Sequence, residues 1–298
     1  MRSTSGACAA IVAAFAVVLA PTAAGHARVA AGRFSYPDVR AALPAALPAP
    51  SGVAGAAGAS SVGNVSAAGS LNWAGYAVNR HKVAFRLVRA TFFVPYLSCA
   101  NSPGKTMSSA WAGLDGYVGH PDSVEQIGIG ANCSAAGVAS YYAWFEMFPF
   151  AQRKLAMKIH AGDSVTAQVS YNPARKEFRL SLTDHTRGEN ASRLRTCPTV
   201  KVSGKRVTCP RSSAEVIAEA PAIKSSQGLV ISPLSDYGAI SFAGISITDG
   251  AGQHGGIVSR RWAATKIIQV SAASAGPVLA QPTSVQAGMF DAYWMHES

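Results

Sequence analysis

The chain has 298 residues, of which 14% are charged, and carries a formal net charge of +11. That length allows a sizeable core without reliance on a dense disulfide framework. After the first 27 residues, no run reaches the roughly 18 consecutive apolar residues of a membrane-spanning helix, so membrane insertion is not expected.

Residues 1–27 read as a secretory signal. Arg2 supplies the positive start, Ala9 to Ala20 an apolar stretch, and Ala23 to Ala27 small residues suited to cleavage. The mature product is therefore expected to be secreted and extracellular. From Ala41 to Ser70 the sequence is almost wholly Ala, Pro, Gly, Ser and Val, with no periodicity that would bury a face. Together with the preceding stretch it is expected to form, over 28–70, a pro-segment or a disordered linker. The folded domain is expected over 71–298.

Beyond Leu71 the texture changes to short runs rich in Val, Ile, Phe, Tyr and Trp, bounded by Gly, Pro, Asn or Asp. Strands are predicted at Asn72 to Asn79, Leu87 to Val94, Ser140 to Phe148, Ser164 to Tyr171 and Phe178 to Asp184. Asn172, Pro173 and Ala174 form a predicted hairpin turn between the last two. Long amphipathic helices are missing from the pattern. A single all-β domain of about 230 residues, a sandwich or barrel, accounts for this reading.

Cys8 belongs to the signal, which leaves Cys99, Cys133, Cys197 and Cys209 for an oxidising compartment. Three pairings are open; Cys99 with Cys133 and Cys197 with Cys209 are favoured because each encloses one local loop. A zinc site is not expected, since no C-x-x-C and no H-E-x-x-H occurs. Neither a metal nor another cofactor is assigned. Removing residues 1–69, with four arginines against one aspartate, leaves the chain basic. Much of that charge lies in one segment: Arg187, Arg193, Arg195, Lys201, Lys205, Arg206 and Arg211. Nucleic-acid grooves interleave such residues with aromatics, and this segment has none, so a solvated exterior loop is expected.

Nucleophile signatures are absent: there is no G-x-S-x-G, and the mature cysteines are accounted for as bridges. Asp115 and Asp249 each precede a glycine, but neither has the intervening Thr or Ser of an aspartic-peptidase dyad, and both read as turn residues. Four segments carry more information. They are Leu71-Asn-Trp-Ala-Gly-Tyr76; Ser109-Ala-Trp-Ala-Gly-Leu-Asp-Gly116; Glu125-Gln-Ile-Gly128 with Tyr142-Ala-Trp-Phe-Glu-Met-Phe-Pro149; and Ala214-Glu-Val-Ile-Ala-Glu-Ala-Pro221.

In order and form these segments resemble the glutamic peptidases, or eqolisins, over about Leu71 to Phe242, with a weaker echo near Phe290 to Met295. The resemblance implies an antiparallel β-sandwich, concanavalin-like, with two curved sheets and a substrate groove on one face. It implies a secreted acid endopeptidase that acts on proteins or peptides without a cofactor. The catalytic glutamine falls on Gln126 and the catalytic glutamate on Glu219; Trp111, Asp115 and Glu146 fall on supporting substrate-groove positions. Two positions depart from the family pattern: Tyr142 replaces an acid, and Phe148 a tyrosine.

Strand alternation sorts these residues by face. Gln126 shares its side with Gly128 and Gly130, which is expected to leave open space beside it, while Ile127 and Ile129 point to a core. Glu215, Ile217 and Glu219 oppose Val216 and Ala218. Tyr142, Trp144 and Glu146 share a side, as do Trp111 and Asp115. A carboxylate of ordinary pKa, about 4.3, can serve as general base in acid, where a histidine is already charged. Two other functions compete. One is a glycan-active enzyme using Glu146 and Glu219 with Trp111 or Trp144 as a sugar platform; the other is a non-catalytic lectin-like module. A monomer is expected, with no nucleic-acid partner.

Overall fold

The computed structural model describes residues 47–48, 65–100, 102, 104–118, 123–202, 204–225, 228–271 and 276–296. The signal and nearly all of the expected pro-segment lie outside these residues. Every regular element among them is a strand. The longer ones are β1 (Val65–Ser70), β2 (Trp73–Asn79), β3 (Phe85–Phe93), β4 (Thr106–Leu114), β5 (Glu125–Cys133), β6 (Ala139–Met147) and β7 (Ser164–Asn172). They continue with β8 (Glu177–Asp184), β9 (Glu189–Thr196), β10 (Ser213–Glu219), β11 (Ala239–Asp249), β12 (Ala263–Val270), β13 (Val278–Pro282) and β14 (Phe290–Trp294).

Two antiparallel layers result. One runs β12–β2–β10–β4–β5–β6; the other runs β14–β11–β3–β7–β8–β9. Strand β13 pairs with both β12 and β14 and joins the layers along one side. The all-β sandwich expected from the sequence is therefore present. Its core lies where the alternating residues of both layers meet: Ala110, Ala112, Ile127, Ile129, Val216 and Ala218 from the first, with Phe92, Val165, Val169, Leu180 and Phe242 from the second. Each fully buried aliphatic or aromatic chain contributes about 1.5–3 kcal/mol over its exposed state.

All five predicted strands occur with small shifts at their ends. Asn172 closes β7, and its side-chain oxygen accepts from the backbone N–H groups of Ala174 and Arg175 at 3.0 and 3.2 Å, an Asx turn that reverses the chain into β8. Both favoured disulfides are formed, Cys99–Cys133 and Cys197–Cys209. The first ties the chain beyond β3 to the end of β5.

Two expectations change. The folded region begins before Leu71, because Val65–Ser70 pairs in parallel with Ala264 to Gln269. A Gly- and Ala-rich strand gives no side-chain signal, and its order comes from the backbone ladder of a neighbour distant in sequence. The basic segment is also less detached than a solvated loop. Arg211 lies 3.8 Å over the Tyr171 ring, Arg195 lies 4.9 Å over Phe145, and Arg187 pairs with Asp163 at 3.2 Å. The inward-facing arginines of β9, the outermost strand of its layer, also deter edge-to-edge pairing.

Candidate active site

The face of the first layer turned away from the sandwich core carries a second apolar cluster: Trp73, Ala77, Trp111, Val124, Trp144, Ile217 and Ile267, with Tyr117, Tyr142 and Phe148 against it. Trp73 and Trp111 meet edge to face at 4.9 Å. Polar side chains open among these rings in three transverse rows fixed by strand register. Glu219, Ser109, Gly130 and Tyr142 form one row; Ile217, Trp111, Gly128 and Trp144 the next; and Glu215, Gly113, Gln126 and Glu146 the third.

Two glycines allow large rings into this surface rather than leaving it open. A Cβ on Gly128 would overlap the Ala110 carbonyl and lie 2.6 Å from the Trp111 Cβ; one on Gly130 would overlap the Tyr142 ring. The space expected beside Gln126 is thus occupied by Trp111 and Tyr142. Alternation correctly gave the face, but it carries no information about which neighbour fills it.

Glu219 ends β10 and is partly accessible. Its Oε2 accepts from Trp111 Nε1 at 2.7 Å and lies 3.5 Å from Ser109 Oγ, and its Oε1 accepts from Asn72 Nδ2 at 3.0 Å. Asn72 is held at the β1–β2 corner by Ser70, whose hydroxyl accepts from the backbone N–H groups of Asn72 and Trp73. Sequence reasoning did not single out Asn72, Ser109 or Ser70 as site residues. Asn72 and Ser109 do stand inside quoted motifs, whereas Ser70 has no local signal. Burial pushes Glu219 up to about 7, against donors from Trp111, Trp73, Asn72 and Ser109 that favour its anion.

Gln126 is 6% exposed and donates from Nε2 to Glu146 Oε2 at 2.8 Å. Its Oε1 has no partner among the described residues. Glu146 is pushed up to about 8, first by burial and then by the charge of Glu219.

Asp115 lies elsewhere. At φ 66° it turns the chain just past β4 and is fully buried. Its oxygens accept from the backbone N–H groups of Arg211 and Ser212, both at 2.7 Å, and from Ser212 Oγ at 3.1 Å. Glu125 and Glu215 are also fully buried nearby. Burial raises all three acids, and Asp115 further raises the other two by its charge. None of the five acids takes part in the ion pairs found among the described residues, which join Arg80 to Asp249, and His160 and Arg187 to Asp163.

A model of the Peptidase A4 family matches residues 71–287. Two crystal structures of scytalido-glutamic peptidase with transition-state analogues align at 21% and 22% identity with TM-scores of 0.60 and 0.59, each covering 75% of this chain and 98% of theirs. The structure of aspergilloglutamic peptidase from Aspergillus niger aligns at 24% identity with a TM-score of 0.50, covering 64% of this chain and 99% of its own. These structural likenesses concern the fold alone. No curated protein matches in sequence.

Proposed function

The chain belongs to the peptidase A4 family, and from that premise we propose that it hydrolyses peptide bonds in proteins or peptides with Glu219 as general base and Gln126 as the oxyanion donor. One observation carries this reading: Trp111 and Asn72 hold the Glu219 carboxylate on the tryptophan-lined face, and Gln126 donates to Glu146 on that same face.

Burial raises both carboxyls, and their hydrogen bonds sort them into roles. Glu219 has donors from Trp111, Asn72 and Ser109 that favour its anion, whereas Glu146 has the Gln126 amide alone. Ionised Glu219 accepts a proton from water as the water oxygen bonds to the scissile carbonyl carbon, and the carbonyl π pair moves onto oxygen. One Gln126 N–H is engaged by Glu146, and the other is available to the oxyanion; the unpaired Oε1 accepts from the attacking water. When the intermediate collapses, Glu219 returns its proton to the amine nitrogen as the C–N bond breaks. Protonated Glu146 keeps the amide oriented. Trp111 holds the Glu219 carboxylate, and Asp115 ties the β4 end to residues 211–212 behind the groove.

The pH dependence follows from the base. Only ionised Glu219 works, so kcat/KM rises with pH up to about 7 and falls tenfold per unit below it. That places the working window at the mild end of the acid range expected from the sequence. The two disulfides fit an oxidising, extracellular setting, and export belongs to the same proposal. A glycan-active enzyme using the two glutamates would leave the Gln126–Glu146 bond without a role.

Cleavage of a denatured protein, followed across about pH 3 to 8, tests the reading. Glu219→Gln and Gln126→Ala are both expected to abolish cleavage while the circular dichroism of the fold is retained. Full turnover by folded Glu219→Gln overturns the assignment.

A further inference from the structure

Tyr142 departs from the family pattern, and its surroundings are specific. It lies on the same face of β6 as Trp144 and Glu146. Its ring lies across Gly130 with Cζ and the hydroxyl over that glycine, in the row that continues through Ser109 to Glu219. Lys154 Nζ sits over the ring, 4.4 Å from its centroid. Gln152 donates its amide to the phenol oxygen at 3.1 Å, which leaves the phenol proton free to donate outward. Lys154 is the register partner of Trp144, whose buried Nε1 has no acceptor among the described residues.

Two donors therefore stand together at this edge of the face, beside the buried Trp144: an ammonium and a phenol O–H. In the segment that follows, Lys158 is exposed between the buried Met157 and Ile159, and His160 lies 3.5 Å from Asp163. Other charged groups nearby are Arg153, exposed beside Phe145, and the carboxyls of Glu125, Glu146 and Glu219, all raised by burial. Cation–π contact holds the ammonium near the ring without neutralising it. An ammonium beside a phenol O–H complements an anion.

We propose that Tyr142 and Lys154 form a substrate subsite that selects an acidic side chain, aspartate or glutamate, at one fixed position from the scissile bond. Where the family pattern has an acid, this chain presents a cationic, donor-lined edge. The proposal rests on the peptidase reading for its position and predicts a preference that switches with the substrate's own ionisation. A glutamate side chain is charged above about pH 4.3, so discrimination between glutamate and glutamine appears above that pH and fades below it.

Peptides identical except for Glu, Gln or Lys at a single scanned position test this. At one position, wild-type protein is expected to favour Glu over Lys about tenfold in kcat/KM near pH 6, with the difference in KM. Lys154→Glu is expected to invert that order; Tyr142→Phe is expected to narrow it. No Glu preference at any position, or an order unmoved in Lys154→Glu, overturns the proposal. Binding of the same peptides to Glu219→Gln, measured by calorimetry, reads the subsite without catalysis. Glu-selective binding without cleavage by wild type sinks the peptidase reading and spares the subsite; non-selective binding sinks the subsite.

Discussion

The two faces of β4, β5 and β10 are buried to a similar degree and made of opposite chemistry. Toward the second layer they present Ala110, Ala112, Ile127, Ile129, Val216 and Ala218, which need no partner beyond close packing. On the other side they present Trp111, Gln126, Glu215 and Glu219, whose polar atoms require donors, protons or substrate. The apolar face holds the strands in place at any pH. The acids of the other face are stabilised by keeping their protons or finding donors, the condition on which the proposed chemistry rests.

The largest expected effect breaks the groove face alone. Glu219→Gln is expected to lower kcat by about a thousandfold or more, and Gln126→Ala by about a hundred- to a thousandfold, with melting temperatures at pH 5 nearly unchanged. A loss of both activity and fold in these variants would mean that the two faces are not separable.

Stability against pH sharpens the contrast. Glu146 and Glu219 bind protons more tightly in the folded state than in the unfolded chain, where carboxyls keep ordinary values. Their stabilising contribution is complete below about pH 4 and is lost as the pH rises through about 7 and 8, on the order of several kcal/mol together. Asp115, Glu125 and Glu215 shift in the same direction. Urea midpoints are therefore expected to fall steadily from pH 4 to 9. Glu146→Gln, which keeps an acceptor for Gln126, flattens the upper part of that decline.

A core substitution should behave differently. Ile129→Ala is expected to cost about 2–5 kcal/mol, by the same amount at pH 4 and at pH 8. A pH-dependent cost would show that the core face is coupled to the acids behind it. A smaller effect separates the two disulfides. In the chain-entropy account, opening Cys99–Cys133 costs about 4 kcal/mol and opening Cys197–Cys209 about 3 kcal/mol, since the loops span 34 and 12 residues. Single Cys→Ala pairs read this difference in thermal unfolding.

Much of the molecule is legible from local pattern. Alternation in Val124 to Gly130 and in Glu215 to Glu219 gives the faces of Gln126 and Glu219, because strand geometry fixes side-chain direction two residues at a time. The hairpin at Asn172 and both disulfides follow from turn chemistry and loop spacing. Strand order does not, since β10 lies between β2 and β4 although it is far along the chain from either.

Composition, strand texture and the ordered motifs set the all-β class, the favoured cysteine pairing and the residues proposed for catalysis. Tertiary structure alone decided that Ser70 and Asn72 brace Glu219, that Trp111 and Tyr142 fill the room beside Gln126, and that Asp115 turns into a buried acid cluster. It also set the pKa values, which depend on burial and on charges brought together across strands. Side-chain direction is a local property of the backbone, whereas desolvation and contact arise only when distant segments meet.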